Sequence, residues 1–413
     1  MTAIGVCGEW LIFTCNTKFV AIHPKGNREP FVFDCSTAER KSKTTNDDNN
    51  SDGGASEETG SDEVLAFAVS PSGKLVAMTD DTKRLVLFVC DPLWQCISIR
   101  WVVRRCTSLV FSQAEDELLV ADKSGDVYSF SVVEPQKEGE LKMGHLSMLL
   151  AVTVSPDNKY IITADRDEKI RVSHLRSPYN IKSFCLGHQQ FVSALQIPPS
   201  HPHWLLSGSG DGTVKLWEYK SGCMLQSWDL RPLKRETAST EADKEKNPVV
   251  CRIASSPDGR HVAVQYERVS IVQLFSLDEE NLVPHSRLSL PHCPLDLTFD
   301  LEGHLWVLMD SNDIPLQIYT QRQSSWECDA KNPELIRMTE AFRPHWETSE
   351  ASRRTNNRFE HLHKVSFDNM TVYLQKKQQR LEEQQLKRTM DHKTSSSKKA
   401  KAERPRLGAQ TSA

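Results

Sequence analysis

Short apolar runs, broken at regular intervals by polar turns, fill the first three quarters of the chain. LLAVTVS (149–155) and FVSALQI (191–197) have the length and composition of strands. Turns such as SPSG (70–73), SPDN (155–158) and SPDG (256–259) follow first runs of this kind, and their Pro and Gly preset the backbone angles that tight reversals need. A second run then ends on small residues, as in YIITA (160–164) and LLSGS (205–209). A short polar turn leads to a third. The segments spanning that turn read alike: TDDTKRLVLF (79–88), ADKSGDVYSF (121–130), ADRDEKIRVS (164–173) and GSGDGTVKLW (208–217). They close on Phe88, Phe130, Ser173 and Trp217, at intervals of 42, 43 and 44 residues. Phe275 and Tyr319, which end VQLF and LQIY, are again 44 apart, and the longer gap from Trp217 to Phe275 absorbs a polar insertion at 231–247.

Four short strands repeated every roughly 40–45 residues is the period of a β-propeller. One blade cannot bury both of its faces, whereas a ring of blades can, and the ring removes most exposed strand edges. Six units lie between Leu65 and Gln321. The N-terminus supplies a seventh through EWLIFT (9–14), KFVAIH (18–23) and PFVFDC (30–35). Only three strands are visible there, so SSWECD (324–329), arriving from the other end of the chain, is the expected closing strand. The expected fold is therefore all-β, a seven-bladed propeller over 1–329. Its segment 36–62, rich in Asn, Ser, Asp, Glu and Gly, is expected as a flexible surface loop. Beyond the ring, 330–363 reads as an irregular polar segment. A helix is expected within 364–390, where Phe367, Met370, Tyr373 and Leu374 share a face and Ser366 or Asp368 can cap the start. The remainder, 391–413, reads as a disordered basic tail.

The unit from Gly187-His188 through Ser207 and Asp211 to Trp217 resembles the WD-repeat family, in which such a His, Ser, Asp and Trp form a hydrogen-bonded set within the blade. Gly144-His145 and Asp167 repeat part of it, with Ser173 where the Trp would stand. His145, His188, Ser207, Asp211 and Trp217 are thereby read as structural residues of the repeat.

Charge refines this picture. The chain carries −4 overall, but from Lys376 to Arg406 there are eleven Lys and Arg against four Asp and Glu, a surplus of +7, which leaves −11 for the rest. A mildly acidic body with a basic end suggests RNA contact or nuclear targeting through that end, with Lys376, Lys377, Arg380, Lys387 and Arg388 as the RNA-contact candidates. The 11 cysteines have no CxxC pairing and read as small core hydrophobes, with neither a zinc site nor a disulfide framework. Mean hydropathy is −0.48, and no apolar run approaches the ~20 residues a membrane helix needs. GSGDG (208–212) looks like a phosphate loop, yet it precedes a strand and so places no helix N-terminus at a phosphate. No GxSxG, HExxH or P-loop occurs. The chain reads as non-catalytic, without cofactor or metal.

Function is then expected on the loop faces of the disc. Turns 80–84, 122–126 and 165–169 set mixed charges side by side, which suits a specific protein interface, because both signs fix register. The strings ADKSGDVYSF, GHLSMLL and TADRDEKIRVS, together with SFDNMTVYL (366–374), resemble the family of non-catalytic WD-repeat subunits of tRNA guanine-N7 methyltransferases. The resemblance implies a heterodimer with a Rossmann-type catalytic subunit that holds S-adenosylmethionine, acting on tRNA in the nucleus. It also implies Lys123, Asp165, Arg166, Asp167, Glu168 and Arg171 as partner contacts. An alternative comes from Trp228-Asp229-Leu230-Arg231, a WDxR pattern that suggests a substrate receptor of a cullin-type ubiquitin ligase.

Overall fold

Seven four-stranded antiparallel sheets follow one another along the chain, at 3–34, 64–101, 106–144, 149–185, 192–229, 250–289 and 294–328, and in each the strands lie side by side in chain order. The computed structural model describes residues 2–40, 60–230, 248–346 and 358–364, apart from 27, 279, 280 and 324, together with 370, 373–380 and 382 in the C-terminal region. Regions 41–59, 231–247 and 391–413, and with them most of the expected flexible loop, the insertion and the basic tail, lie outside the described residues.

The first strand of every blade packs against the first strand of both neighbours, all the way round, including Ala3–Cys7 of blade 1 against Pro294–Phe299 of blade 7. This is the closed ring that the repeat period requires. Burial then falls outward. Second strands such as Tyr160–Asp165 and Trp204–Ser209 are buried at almost every position, whereas the fourth strand Cys223–Asp229 is exposed or half-buried throughout. Positions 185, 106 and 251 show why the cysteines behave as core residues: burial pushes the thiols of Cys185, Cys106 and Cys251 up to about 12.

Two expectations need correction. Blade 1 is built entirely from the N-terminus, because Ala3–Cys7 supplies the strand that was missing from the count. Ser325–Cys328 pairs with Leu316–Arg322 as the outer strand of blade 7 and does not complete blade 1. The stretch 330–363 is also not irregular throughout. Pro333–Trp346 forms a helix, α1. Asn332 caps it by accepting from the amides of Glu334 (2.8 Å) and Leu335 (3.4 Å), and Pro333 stands at the first helical position, where its missing N–H costs nothing. Leu335, Met338, Phe342 and Trp346 recur at helical spacing and are all buried. They pack with Ile4, Leu11, Phe13 and Val20 of blade 1 and Trp306, Leu308 and Ile318 of blade 7. Phe342 stacks on Phe13 at 4.3 Å between ring centroids, and Trp346 donates Nε1–H to the Ser311 carbonyl at 3.0 Å. A helix lies across the join where a swapped strand was expected.

A second tie holds the long excursion between blades 1 and 2. Arg84 is fully buried. It donates to the Cys35 carbonyl at 2.6 Å and pairs with Asp62 at 2.6 Å and Asp80 at 3.2 Å. Arg40 reaches the other carboxylate oxygen of Asp62 at 2.8 Å. Both described ends of the 36–62 segment are thus fixed to blade 2.

The clasp role of α1 is measurable. Phe342→Ala removes a fully buried aromatic from the join, which typically costs about 3–5 kcal/mol, so the urea midpoint should fall sharply. An unchanged midpoint would mean that the ring closes without the helix.

Candidate functional site

The repeat residues of blade 5 assemble as the WD pattern leads one to expect. His188 Nδ1 meets Asp211 Oδ2 at 3.0 Å, His188 Nε2 meets Ser207 Oγ at 2.7 Å, and Trp217 donates Nε1–H to the same hydroxyl at 2.8 Å. Asp211 further accepts from the Gln189 and Thr213 amides, both at 2.9 Å. All five side chains at positions 188, 207, 211, 213 and 217 serve the blade, so none is left to act on a ligand. His188, Asp211 and Thr213 account for each other, and the depressed Asp211 carboxyl owes its shift to His188 and Thr213 working against burial.

Blade 4 shows the same device with one change. His145 contacts Thr163 Oγ1 at 2.9 Å and Asp165 Oδ2 at 3.4 Å. The acid of this set is therefore Asp165, and not Asp167 as the alignment of turns suggested. Asp165 also accepts from the amides of Asp167 (2.9 Å) and Lys169 (3.1 Å). Asp80 and Asp122 cap their own turns in the same way, through amides two and four residues on. The residue three past each of these acids has positive φ: Lys83 (70°), Gly125 (97°) and Glu168 (73°). The acids that gave these turns their charged look are thus partly turned inward as caps, and Asp165 is only 3% exposed.

What remains on the turn face is a smaller set. Lys123 is exposed and Asp167 and Glu168 are half-buried there. Arg171 leans between blades 3 and 4. It donates to the Gly144 carbonyl (3.1 Å), the Pro178 carbonyl (2.9 Å) and Ser173 Oγ (3.0 Å), and is partly desolvated. Ser173, standing where a Trp would be, supplies one of those three acceptors. Arg166 is engaged by the chain's own C-terminal stretch, donating Nε–H to the Leu362 carbonyl at 3.1 Å and Nη2–H to that of His361 at 3.4 Å. Burial pushes the His361 imidazole down, and the neighbouring Lys123 and Arg166 add to it.

That stretch went unread in the sequence. Phe359 and Leu362 are buried in a small apolar cluster with Phe191 and Val249, edged by Met148 and Leu150. These residues lie just before or at the start of the first strands of blades 4, 5 and 6, on the face that carries turn 165–169. Two apolar residues three apart, among polar neighbours, are the only signal, and it is too short for a periodicity argument.

Of the RNA-contact candidates, Lys376, Lys377 and Arg380 fall on a helical stretch at 373–380 and are exposed; Lys387 and Arg388 lie outside the described residues. Met370, Tyr373 and Leu374 are exposed as well. Trp228, the anchor of the WDxR pattern, sits in an outer strand and packs edge-on against Phe275 at 5.5 Å. Among the described residues no group of three or more His, Cys, Asp or Glu is arranged to hold a metal ion. A cavity between blades 1 and 7, lined by Glu9, Trp10, His23 and Asp300, measures about 90 Å³, well short of the roughly 300 Å³ at which sites for sizeable ligands begin.

Residues 23–141 and 133–332 match the family described as the tRNA methyltransferase TRM82 WD40 domain. The Danio rerio protein named tRNA (guanine-N(7)-)-methyltransferase non-catalytic subunit wdr4 is 56% identical over 392 residues, covering 94% of each chain. The proteins of the same description from Mus musculus and Homo sapiens are 46% and 42% identical, over 91% and 90% of this chain and 90% and 89% of theirs. Among solved structures, U3-55K superposes with a TM-score of 0.59 at 18% identity, covering 74% of this chain and 87% of that one. The RRP9 WD40 repeats give 0.59 at 17%, covering 78% and 89%. These two likenesses speak to the propeller fold alone.

The histidines make the stability of the disc depend on pH, most of them in one direction. Burial holds His188, His261, His345 and His361 below their ordinary value. For such a group the unfolded chain takes the proton first, so its contribution is complete above a pH of about 6.5 and is lost as pH falls through that value. His304, raised by its hydrogen bond to Asp300, has the opposite sign. With four groups against one, the melting temperature should drop between pH 7.5 and pH 5.5. A rise over that interval would show that His304 outweighs the other four.

Proposed function

The chain belongs to the tRNA methyltransferase TRM82 WD40 family, and from that membership we propose that it is the non-catalytic subunit of a tRNA (guanine-N7)-methyltransferase. The observation that carries this reading is the 56% identity to a protein of that description over 94% of both chains. A match of that extent includes the turns and the outer strands as well as the repeat skeleton. The geometry agrees with a scaffold role. The His–Ser–Asp–Trp set is consumed within blade 5, and among the described residues no strand, Gly-rich turn and helix follow in succession to hold a nucleotide-like cofactor.

The partner is a catalytic methyltransferase subunit. We take S-adenosylmethionine to reside in that partner, the assembly to be a heterodimer, and the site of action to be the nucleus. The docking surface is the turn face of blades 3 and 4, with Lys123, Asp167, Glu168 and Arg171 as its charged contacts. Both signs are present within two neighbouring blades, an arrangement that fixes the orientation of a protein partner. A face reading nucleic acid would be uniformly basic. The ubiquitin-ligase alternative has no such support. The Trp of its WDxR pattern packs between blades 5 and 6, and the relatives carry the methyltransferase description.

The direct test is purification of the native protein, with a methyltransferase of equal abundance as the expected companion. Guanine N7 methylation of tRNA should need both proteins. Recovery of ligase adaptor subunits in its place would favour the alternative. Calorimetry of the isolated chain with S-adenosylmethionine should register no binding, and micromolar binding by this chain alone would overturn the scaffold reading.

Charge reversal locates the docking surface. Lys123→Glu combined with Glu168→Lys should abolish capture of the catalytic subunit, since breaking a desolvated interfacial pair on one side costs about 2–5 kcal/mol. The same changes should leave melting nearly unmoved, because surface substitutions shift stability by about 0.5 kcal/mol or less. Retained capture would move the interface to other blades.

A further inference from the structure

The tail's basic residues are useful only where the chain puts them, and the described residues show where it leaves the propeller. Phe359 is 5% exposed and Leu362 is 3%, in a stretch of otherwise polar side chains. Phe359 lies parallel to Phe191 at 5.9 Å between centroids, and His363 meets the same ring edge-on at 5.1 Å. Arg358 sits over the outer side of Phe359 at 5.1 Å. The two carbonyls that this turn leaves open, at His361 and Leu362, are both taken by Arg166 from the blade 4 turn. Two buried apolar anchors and a guanidinium on successive carbonyls fix about six residues against three blades. None of these contacts strengthens a blade internally, since each joins the segment to a surface that is already complete in its strands.

We infer that residues 358–363 are a mooring for the C-terminal basic segment, with Phe359, Leu362 and Arg166 as positioning residues for its contact with RNA. The inference rests on the reading that the complex acts on tRNA. On this view Arg166, charged and close to the partner-facing turn, works within its own chain. The mooring shortens the tether. Lys376, the first residue of the basic run, is 13 residues from His363 but 30 residues from Trp346, the preceding fixed point at the end of α1. The local concentration that a linked segment offers falls as about the −3/2 power of linker length, so the change from 13 to 30 residues sets the expected weakening of tail-dependent binding at about threefold to fourfold. The affinity lost should be electrostatic and blind to sequence, because Lys and Arg near phosphates act through counterion release.

The test uses full-length protein reconstituted with its catalytic subunit and four forms of the chain. These are the wild type, the double variant Phe359→Ala/Leu362→Ala, a form with a flexible 17-residue Gly/Ser insertion between His363 and Lys364, and a truncation after His363. The readouts are capture of the catalytic subunit, hydrogen exchange of 358–364, and tRNA affinity at several salt concentrations. The wild type should protect 358–364 from exchange, and the double variant should not. Both the double variant and the insertion should bind tRNA about threefold to fourfold more weakly, with the catalytic subunit still captured. The truncation should weaken binding further and flatten the salt dependence. The insertion leaves the packing untouched, so it carries the test even where the alanine pair disturbs folding. Wild-type tRNA affinity in both lengthened forms, alongside a weakened truncation, would overturn the mooring while leaving the RNA role of the tail intact. Full affinity in the truncation would remove that role, and the mooring with it. Loss of the catalytic subunit from the double variant would assign the segment to the partner interface and equally overturn the inference.

Discussion

A ring of blades that share no strand between the first and the last is held shut by side chains alone. The seven first strands meet in sequence around the centre, and at six of the junctions the chain itself passes from one blade to the next. At the seventh, between blades 7 and 1, no such link exists. A hydrogen bond crosses there directly, from the Ile4 amide to Asp296 Oδ2 at 3.0 Å, and Asp296 is in turn paired with Arg252 of blade 6 at 3.3 Å. Much of the remaining cohesion is apolar and comes from α1, whose four buried residues lie across both blades, with hydrogen bonds from Trp346 to the Ser311 carbonyl and from Arg337 to the Pro24 carbonyl beside them. Burial of large aromatic side chains is worth several kcal/mol each, which is the scale needed to keep an open-ended ring from parting. The position of every turn on the disc depends on that junction remaining closed.

The parts of this arrangement that could be read from the sequence are those that repeat. Second and third strands are buried at most positions, so apolar residues dominate them, and Phe88, Phe130 and Trp217 mark them at a steady interval. Outer strands such as Ser177–Cys185 and Cys223–Asp229 face solvent along most of their length, and their composition carries no strand signature. That is why Ser325–Cys328 was free to be read as a visitor from the far end of the chain. The first strand of blade 1, AIGVC, was missed for a different reason: it precedes a two-residue turn at Gly8-Glu9 and merges with the apolar run after it. Helix α1 did carry a legible pattern at Leu335, Met338, Phe342 and Trp346, but polar residues outnumber the apolar ones between them, and Pro344 argues against a helix.

The site was legible in a more limited sense. The family pattern located the His–Ser–Asp–Trp set of blade 5 residue by residue. In blade 4 the acid moved two positions, to Asp165, because a buried cap that also faces His145 satisfies more donors than an exposed turn carboxylate could. Sequence charge alone treats Asp165, Asp167 and Glu168 as equivalent. Only the backbone distinguishes the one that holds the turn from the two that face outward, and only tertiary packing shows that Arg166 is occupied by carbonyls 195 and 196 residues away.

The buried Arg84 has an implication for how this protein can vary. By gripping the Cys35 carbonyl and Asp62 together, it turns the two ends of the 36–62 excursion into fixed boundary conditions. Between ends held in this way, chain length is a weak variable, since doubling a flexible loop adds only about 0.6 kcal/mol of closure entropy. A change in the length of that stretch should therefore cost the ring little, whereas a change at Arg84 would release the Cys35 carbonyl and Asp62 at once.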